Sequence, residues 1–389
     1  MKTAAKPLIY LDHAATSWPK PPQVLERVAE AMMSEAANPG RGSHAMAVKA
    51  SRALFGARKQ LARLFGVGNP NDISFSLNTT AALNLAIKGF LKPGDHVIAT
   101  AVEHNSVRRP LSYLKRAMGV EVTYIEVDLE GQLDLKQLER SFQKNTTLVV
   151  VNHSSNLLGS ILPVAEIGEI ARSKGARLLV DAAQSAGILD IDVKAAGIDM
   201  LAFPGHKGLL GPQGTGGLYL HPDLELEPHM HGGTGSQSEA EEQPVIRPDR
   251  YEAGTQNTPG IAGLAVGVQY ILEQTVSRIY DEEWKLTQQM IEGLQSIDDV
   301  KILGPKLGER RTGIVSFLVG QVDPSEIAFV LDQHYGIAVR SGFHCTPLAH
   351  ESAGTYATGA VRASVGYQST SDDVAALVAA IAEMKQHFN

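Results

Sequence analysis

Short apolar runs alternate with amphipathic stretches along the first 220 positions of the chain. The apolar runs predict strands, and the stretches whose apolar residues recur at helical spacing predict helices. Strands are predicted at 8–11, 96–100, 121–127, 147–152 and 178–181, with a strand from 72 that changes to a helix at 78–80 and two further apolar runs within 199–220. Helices are predicted at 23–34, 47–65 and 167–174, the last with Gly175 as its C-cap. This alternation indicates an α/β fold with a mostly parallel sheet and helices on both faces.

The last third of the chain has a different pattern. A polar loop at 251–260 precedes a long helix at 261–273, strands follow at 313–319, 337–340 and 360–365, and a final helix is predicted at 371–387. This order predicts a smaller α+β domain. We therefore expect a large domain at 15–262 and a small C-terminal domain at 263–389, to which the N-terminal segment 1–14 is added.

Composition narrows the class of protein. The chain has 389 residues, which favours two domains over one, and 43% hydrophobic with 20% charged residues is an ordinary globular balance. A net charge of −7, without a basic run, argues against nucleic acid as a partner. The N-terminus has no apolar stretch of signal-peptide or membrane-span type, so we expect a cytoplasmic protein and no membrane partner. A single cysteine excludes an intrachain disulfide and a cysteine-cluster metal site, and we predict no metal site.

Lys207 lies in a turn rich in Pro, Gly and His between two strand-like segments. Asp181 ends an apolar strand 26 residues earlier, where a carboxylate is costly without a cationic partner. A desolvated lysine that can lose its proton, together with an aspartate for a protonated pyridine nitrogen, is the pair that pyridoxal phosphate (PLP) enzymes use. The alternative for Lys207 alone is an ordinary solvated lysine beside a hairpin.

Polar side chains recur just past the ends of several predicted strands, where ligand sites of open α/β sheets lie. They are Thr79, Thr80, His104, Asn156, Asp181, Gln184 and Lys207. Thr79 and Thr80 open a helix, which suits a phosphate, although a plain N-cap explains them equally well. His104 can stack on a planar ring or be structural, and Asn156 can donate to a ring oxygen or belong to a turn. Together, in this order, they favour a cofactor site.

Cys345 stands in a loop with Gly, Pro and His neighbours rather than in an apolar run. We expect this loop to be accessible, with His344 and His350 favouring the thiolate. The alternative is a small buried hydrophobic residue. Arg362 follows 17 positions later and can grip a substrate carboxylate with two hydrogen bonds, or form a surface salt bridge.

With these residues in place, the chain resembles the class V aminotransferase group of PLP enzymes, and within it the cysteine desulfurases and selenocysteine lyases. The resemblance runs from Tyr10-Leu-Asp-His-Ala-Ala-Thr16 almost to the C-terminus. Gly205-His206-Lys207 matches the Schiff-base motif, and Arg340-Ser-Gly-Phe-His-Cys345 is similar to the catalytic-cysteine loop of the group II, SufS-like members. This resemblance implies fold type I of the PLP-dependent transferases, with a large domain that contains a seven-stranded, mostly parallel sheet.

The resemblance also implies roles for individual residues. Catalytic roles fall to Lys207, Cys345 and His104. Cofactor contacts are implied for Lys207, Asp181, Gln184, Asn156, Thr79, Thr80, His104, His206 and Thr255, with Thr80 the more direct phosphate ligand and Thr255 reaching the neighbouring subunit. Substrate contacts are implied for Arg362, Arg340, Arg41 and His44. Pro204 stands where many relatives carry Ser or Ala, so one phosphate hydroxyl is missing, and Phe343 and the Thr-Pro after Cys345 also depart from the pattern.

The activity implied is PLP-dependent conversion of L-cysteine to L-alanine, with a persulfide on Cys345 that passes sulfur to an acceptor protein, for iron–sulfur clusters or a related supply. A homodimer is implied by the Thr255 loop. The alternatives are a selenocysteine lyase acting on L-selenocysteine, or a transaminase or lyase of the same class in which Cys345 is not essential. A non-catalytic scaffold that keeps PLP for stability is disfavoured by intact Lys207 and Asp181.

Overall fold

The computed structural model describes residues 8–40 and 42–387. The strands within them are β1 (Ile9–Tyr10), β2 (Ile73–Ser76), β3 (His96–Thr100), β4 (Glu121–Ile125), β5 (Thr146–Asn152), β6 (Arg177–Asp181), β7 (Met200–Pro204), β8 (Gly216–Leu220), β9 (Val300–Leu303), β10 (Ile314–Val319), β11 (Ile337–Ala338), β12 (Arg340–Gly342) and β13 (Ala360–Ser364). The α-helices are α1 (Pro22–Ser34), α2 (Ala45–Phe65), α3 (Thr79–Phe90), α4 (Asn105–Met118), α5 (Leu135–Arg140), α6 (Val164–Ser173), α7 (Thr258–Gln274), α8 (Val276–Gln295), α9 (Pro324–Val330), α10 (Pro347–Ser352) and α11 (Ser371–His387).

A seven-stranded sheet forms the centre of the large domain, in the order β2-β8-β7-β6-β5-β3-β4. Strands β3 to β7 pair in parallel, whereas β8 runs antiparallel to both β7 and β2. The predicted mostly parallel seven-stranded sheet is confirmed. Because the parallel strands point the same way, the residues that follow them lie at one edge of the sheet.

Both faces of this sheet are buried, which explains why its strands are apolar without alternation. In β5, Val149 and Val151 belong to a core shared with α2, α6 and α7, whereas Leu148 and Val150 belong to a core shared with α3 and α4. Successive side chains of a strand point to opposite faces, so each strand contributes to both cores. This double burial makes the sheet a rigid base for the polar residues at its edge.

The small domain contains an antiparallel sheet in the order β12-β13-β10-β9. Its core is shared with α8 and α11. The N-terminal strand β1 pairs in parallel with β11, so Ile9 lies beside Ile337. This pairing supports the proposed assignment of the N-terminal segment to the small domain.

Two long helices of the structure are absent from the sequence predictions. Helix α4 carries Pro110 in its interior, which weakens a helical pattern, and α8 follows α7 after the single residue Thr275. The C-cap of α6 is Lys174 rather than the predicted Gly175, which follows it with a φ of +77°. No helix in the described ranges combines the length and apolar character needed to cross a membrane.

Candidate active site

The polar residues that follow the parallel strands come together in one pocket. It is lined by Asn78, Thr79, Thr80, His104, Ser106, Asn152, Asn156, Asp181, Ala183, Gln184, His206 and Lys207. The set contains every predicted cofactor contact except Thr255. The reason is topological, because β3, β5, β6 and β7 end at the same edge of the sheet.

Lys207 lies in the turn between β7 and β8, and a hydrogen bond to its main chain fixes its position. Its carbonyl accepts a hydrogen bond from Ser17 Oγ at 3.0 Å. Burial lowers the pKa of Lys207 to about 8, and the nearby guanidinium of Arg362 acts in the same direction. A substantial fraction of the amine is therefore neutral near physiological pH, which is the state that a nucleophile or base requires.

Asp181 is the last residue of β6 and is 1% exposed. Its Oδ1 accepts a hydrogen bond from the Ala183 N–H at 2.9 Å, and no other donor to the carboxylate occurs among the described residues. Burial raises the pKa of Asp181 to about 6, although the backbone hydrogen bond and Lys207 oppose this. A carboxylate with so few partners fits a cationic ring nitrogen in the pocket.

The opposite end of the pocket is the N-terminus of α3. Asn78 caps this helix by accepting a hydrogen bond from the Ala81 N–H at 2.9 Å, so the N-cap alternative holds for Asn78. Thr80 Oγ1 lies 2.7 Å from Ser106 Oγ, whereas Thr79 Oγ1 is buried without a partner in the part of the chain that is described. Ser106 adds a hydroxyl that the sequence analysis missed, in a pocket where Pro204 supplies none. Free N–H groups and hydroxyls at a helix N-terminus suit a phosphate.

Three side chains of the pocket are fixed by hydrogen bonds to neighbouring segments. His104 caps α4 and accepts a hydrogen bond from the Ser106 N–H at 3.1 Å. His206 Nδ1 lies 3.0 Å from Thr16 Oγ1, and Gln184 Nε2 donates to the Ala14 carbonyl at 3.0 Å. Burial, followed by the charge of Lys207, lowers the pKa of both histidines to about 4. Both rings are therefore neutral at physiological pH.

The loop that carries Cys345 is docked directly on this edge of the sheet. The Cys345 carbonyl accepts a hydrogen bond from the Asn105 N–H at 2.8 Å, and Thr346 Oγ1 donates to the Glu103 carbonyl at 3.2 Å. Asn156 Nδ2 donates to the His344 carbonyl at 2.7 Å. His344 and Cys345 have φ values of +48° and +61°, a backbone region that non-glycine residues rarely adopt. The hydrogen bonds on either side stabilise this conformation.

The expectation that His344 and His350 favour a Cys345 thiolate through positive charge is wrong. Burial lowers the pKa of both rings, that of His350 to about 4 and that of His344 further, so neither is protonated at neutral pH. Arg362 is close enough for a favourable electrostatic interaction with Cys345. The nearby positive charge is therefore a guanidinium rather than an imidazolium.

Two arginines lie opposite each other on adjacent strands, Arg340 on β12 and Arg362 on β13. Arg362 donates to the Asn156 carbonyl at 2.9 Å and to Asp12 Oδ1 at 3.0 Å, while its Nε has no partner among the described residues. Arg340 forms no side-chain hydrogen bond within the described ranges. Asp12 orients Arg362 and was not among the predicted site residues, although it lies inside the N-terminal motif that carries the resemblance.

Two predicted residues, His44 and Thr255, are exposed and lie away from the pocket. His44 is exposed and caps α2, where its ring accepts a hydrogen bond from the Ala47 N–H at 3.4 Å. Thr255 is exposed and does not line the pocket. Arg41 lies outside the described residues.

Glu103 is a residue beside the site that the sequence analysis did not single out. It is fully buried, and its Oε1 accepts hydrogen bonds from Thr100 Oγ1 at 2.6 Å and from the Asn152 N–H at 2.7 Å. Burial raises the pKa of Glu103 to about 8. The sequence signal that could have identified Glu103 is its position, since it is a charged residue between an apolar strand and His104.

The donor set of the pocket fits PLP. The lysine of lowered pKa corresponds to the aldehyde of PLP, and the buried carboxylate with a free oxygen corresponds to the ring nitrogen. The threonine hydroxyl without a described partner, at a helix N-terminus, corresponds to the phosphate, and Asn156 Oδ1, also without a described partner, corresponds to a ring substituent. Fold and pocket together define the class of fold type I α/β proteins with a strand-edge lysine–aspartate site.

The chain belongs to the aminotransferase class-V family, whose model matches residues 9–377. A probable cysteine desulfurase of Methanothermobacter thermautotrophicus is 38% identical over 372 residues, which cover 94% of this chain and 92% of that protein. An apo structure of the cysteine desulfurase of Thermococcus onnurineus matches with a TM-score of 0.91 and 37% identity, covering 98% of this chain and 95% of that one. The cysteine desulfurase CsdA of Escherichia coli matches with a TM-score of 0.87 and 26% identity over the same shares. Membership of this family implies PLP.

Proposed function

We propose that this chain is a PLP-dependent cysteine desulfurase that converts L-cysteine to L-alanine and receives the sulfur on Cys345. The observation that carries the proposal is the docking of the Cys345 loop, whose carbonyl bonds to the Asn105 N–H one residue beyond His104. The proposal is supported by relatives that bear the name cysteine desulfurase and match almost the whole chain.

The cofactor proposal assigns PLP to the strand-edge pocket. Lys207 would hold it covalently, Asp181 would keep its ring nitrogen protonated, and the N-terminus of α3 with Thr79, Thr80, Ser106 and His206 would surround its phosphate. When bound, PLP supplies an electron sink for the substrate's Cα carbanion.

The residues of the chain then have separate tasks. Arg340 and Arg362 bind the substrate carboxylate, since one guanidinium is unpaired and the other has a free Nε. Lys207 Nζ takes the proton from the substrate Cα and returns it to carbon. His104, neutral because of its lowered pKa, delivers or accepts a proton at the substrate thiol.

Sulfur transfer needs no external oxidant. The Cys345 thiolate attacks the substrate sulfur, an S–S bond forms, and the substrate's Cβ–S bond breaks with its electron pair remaining on carbon. Protonation of that carbon gives alanine, so cysteine plus the Cys345 thiol equals alanine plus the Cys345 persulfide.

The proposal includes an acceptor protein for the persulfide sulfur and a homodimer. Thr255 supports the homodimer, because it is exposed and does not reach the pocket of its own chain. The selenocysteine lyase and the transaminase or lyase readings are not favoured by the relatives, which bear the name cysteine desulfurase.

The test is release of sulfide and alanine from L-cysteine with a thiol reductant present. We expect equal amounts from the wild type and neither product from Cys345→Ala or Cys345→Ser. Lys207→Ala is the cofactor control, in which the visible absorption band of bound PLP should be lost. If Cys345→Ala matches the wild type, Cys345 is not the nucleophile, and the reaction is a lyase or transaminase reaction in the same pocket.

A further inference from the structure

A second cavity of about 400 Å³ lies on the other side of Lys207 from the strand-edge pocket. The two cavities share only Ala183, Gln184 and Lys207 as common walls. The rest of this rear chamber is formed by α7, α8, the start of β10, the segment 364–369, the N-terminal residues His13, Ala14 and Ser17, and the segments that contain Ile188 and Gly208. It therefore lies between the elements of the two proposed domains, and apart from the shared walls it has no part in the desulfurase chemistry proposed above.

One charged side chain in the rear chamber has no partner. Glu283, on α8, is 8% exposed, and its carboxyl forms no hydrogen bond or ion pair with any described residue. Its backbone carbonyl accepts a hydrogen bond from Thr287 Oγ1 at 2.7 Å, whereas its carboxyl lines the chamber without a donor from the described residues. An isolated buried carboxyl is unfavourable in a folded protein, so its presence in a chamber wall indicates a group that is completed by a ligand.

The neighbouring glutamate shows the contrast. Glu282 is exposed and accepts a hydrogen bond from Arg278 Nε at 3.0 Å, an ordinary i, i+4 ion pair on the helix surface. Glu283 has the same side chain one position later, but it is buried in the chamber wall, and no cation of the described chain pairs with it. The need for a partner is therefore specific to Glu283.

The remaining walls define the shape of the ligand. Ile279 and Leu286 stand on the same face of α8 as Glu283, and Ile314 closes the wall from β10. Tyr270 and Tyr367 form an edge-to-face pair with ring centroids 5.4 Å apart. Apolar walls with two aromatic rings and one carboxyl suit a cation with an apolar body, since aromatic faces attract cations and aliphatic walls bury hydrocarbon.

We propose that the rear chamber binds an organic cation of the amidinium or guanidinium class that has an apolar body. The planar fork of such a group donates two parallel hydrogen bonds to the Glu283 carboxylate, and the apolar body packs between α8 and Ile314. A quaternary ammonium has no donor for the carboxylate, and a primary amine can also react with an aldehyde cofactor, so an amidinium is the sharpest probe of this site.

Protonation links the occupancy of the chamber to pH. Burial raises the pKa of Glu283 to about 8, so a cation that binds the carboxylate at pH 7 displaces a proton. Affinity should therefore rise between pH 6.5 and pH 8.5. The other titratable groups facing the chamber are His13, Lys207, Tyr270, Glu282 and Tyr367. Burial holds the pKa of His13 near 4 and raises that of Tyr270, so neither changes charge in this range, and Lys207 is tied to the cofactor in the holoenzyme.

The experiment is calorimetric titration of the holoenzyme with benzamidine and with its neutral isostere benzamide. We expect benzamidine to bind at least about tenfold more tightly than benzamide, a difference of about 1.4 kcal/mol. Glu283→Gln should abolish this preference, and the matched variant Glu282→Gln should keep it. Titration in two buffers of different ionisation enthalpy should show proton release at pH 7 in the wild type and none in Glu283→Gln.

Two results would overturn the proposal. Equal affinities of the wild type for benzamidine and benzamide would show that the chamber does not recognise the cation. An unchanged benzamidine affinity in Glu283→Gln would place the binding elsewhere, for example at Asp181. The wild-type comparison does not depend on any variant, so it decides the question even if Glu283→Gln folds poorly, and neither of these results depends on desulfurase activity.

Discussion

Around the candidate active site, the protonation state of individual residues is set mainly by burial, which opposite charges do not fully offset. Lys207, Asp181 and Glu103 all have pKa values displaced toward neutrality, and burial is the largest cause in each case. A lysine and two carboxyl groups that change protonation close to physiological pH are typical of a catalytic site. The same physical cause gives the neutral rings of His104 and His206.

Glu103 yields a prediction about stability and pH. Burial raises its pKa from an ordinary value of 4.5 to about 8, so between these values the folded protein holds a proton that the unfolded chain has released. The free energy of unfolding should therefore fall as pH rises through this range, by up to about 1.4 kcal/mol per pH unit from this group. Glu103→Gln removes this contribution, because a neutral amide replaces the protonated carboxyl. Urea unfolding from pH 5 to pH 9 measures the slope.

The control for Glu103→Gln is Glu225→Gln at an exposed position, which should leave the pH slope unchanged. Glu283 contributes a slope of the same sign in every variant, so the expected change is a reduction rather than a flat profile. A Glu103→Gln slope equal to that of the wild type would show that Glu103 is ionised in the folded protein.

At the scale of elements, the site is made by strand ends and by the loop that docks on them. The parallel strands present His104, Asn156, Asp181 and Lys207 from four separate segments. The Cys345 loop lies in the proposed small domain, between β12 and α10, and reaches this edge through backbone carbonyls. Its position is therefore set by hydrogen bonds to the sheet edge, made by main-chain groups and by the Asn156 and Thr346 side chains.

Thr346 is the side chain that ties this loop to the sheet edge. Thr346→Val is nearly isosteric and removes the hydrogen bonds to the Val102 and Glu103 carbonyls. We expect a loss of about 0.5–1.5 kcal/mol in stability and a roughly tenfold lower rate of alanine formation, since a small displacement of the nucleophile is costly. The visible absorption of bound PLP should not change. Steady-state kinetics with L-cysteine and an absorption spectrum measure the two effects.

Thr358→Val is the matched control, because Thr358 is exposed and its hydroxyl bonds only to the adjacent Gly359 carbonyl. It should retain wild-type kinetics. If Thr346→Val also retains the wild-type rate, docking through Thr346 does not position Cys345.

At the scale of the whole molecule, the two proposed domains are joined by buried polar contacts. Arg311 is 0% exposed and donates to the carbonyls of Leu158 from the large domain and of Leu303, Pro305 and Ile314 from the small domain. No carboxylate within the described residues pairs with it. The guanidinium is held by hydrogen bonds to carbonyl groups, and it links the segment after β5 to the segments around β9 and β10.

Arg311→Met should therefore be strongly destabilising. The substitution keeps much of the side-chain length but leaves buried carbonyls without donors, which we expect to lower the free energy of unfolding by about 3 kcal/mol. Denaturant titration followed by circular dichroism measures the effect. Arg310→Met, at the exposed neighbouring position, should change stability by no more than about 0.5 kcal/mol. Equal effects of the two substitutions would show that Arg311 does not join the domains.

The sequence alone determined the secondary structure of the sheet and most of the pocket. Apolar runs define buried strands, and a polar residue directly after such a run must lie at the sheet edge, so Thr79, His104, Asp181 and Lys207 could be predicted from local pattern. Their roles were assigned through the resemblance to the class V aminotransferases, and membership of that family is confirmed by the family match.

Only the tertiary structure decided which groups share a partner and which have none. Asp12 accepts a hydrogen bond from Arg362 at a sequence separation of 350 residues, and the hydroxyls of Ser106 and Thr80 lie together at a separation of 26. Local periodicity predicts neither contact. The charge state of His344 and His350, and the isolation of Glu283, depend on how deeply the fold buries them. Periodicity reports which side of an element faces the core, whereas protonation and hydrogen bonding depend on what the rest of the chain brings to that side.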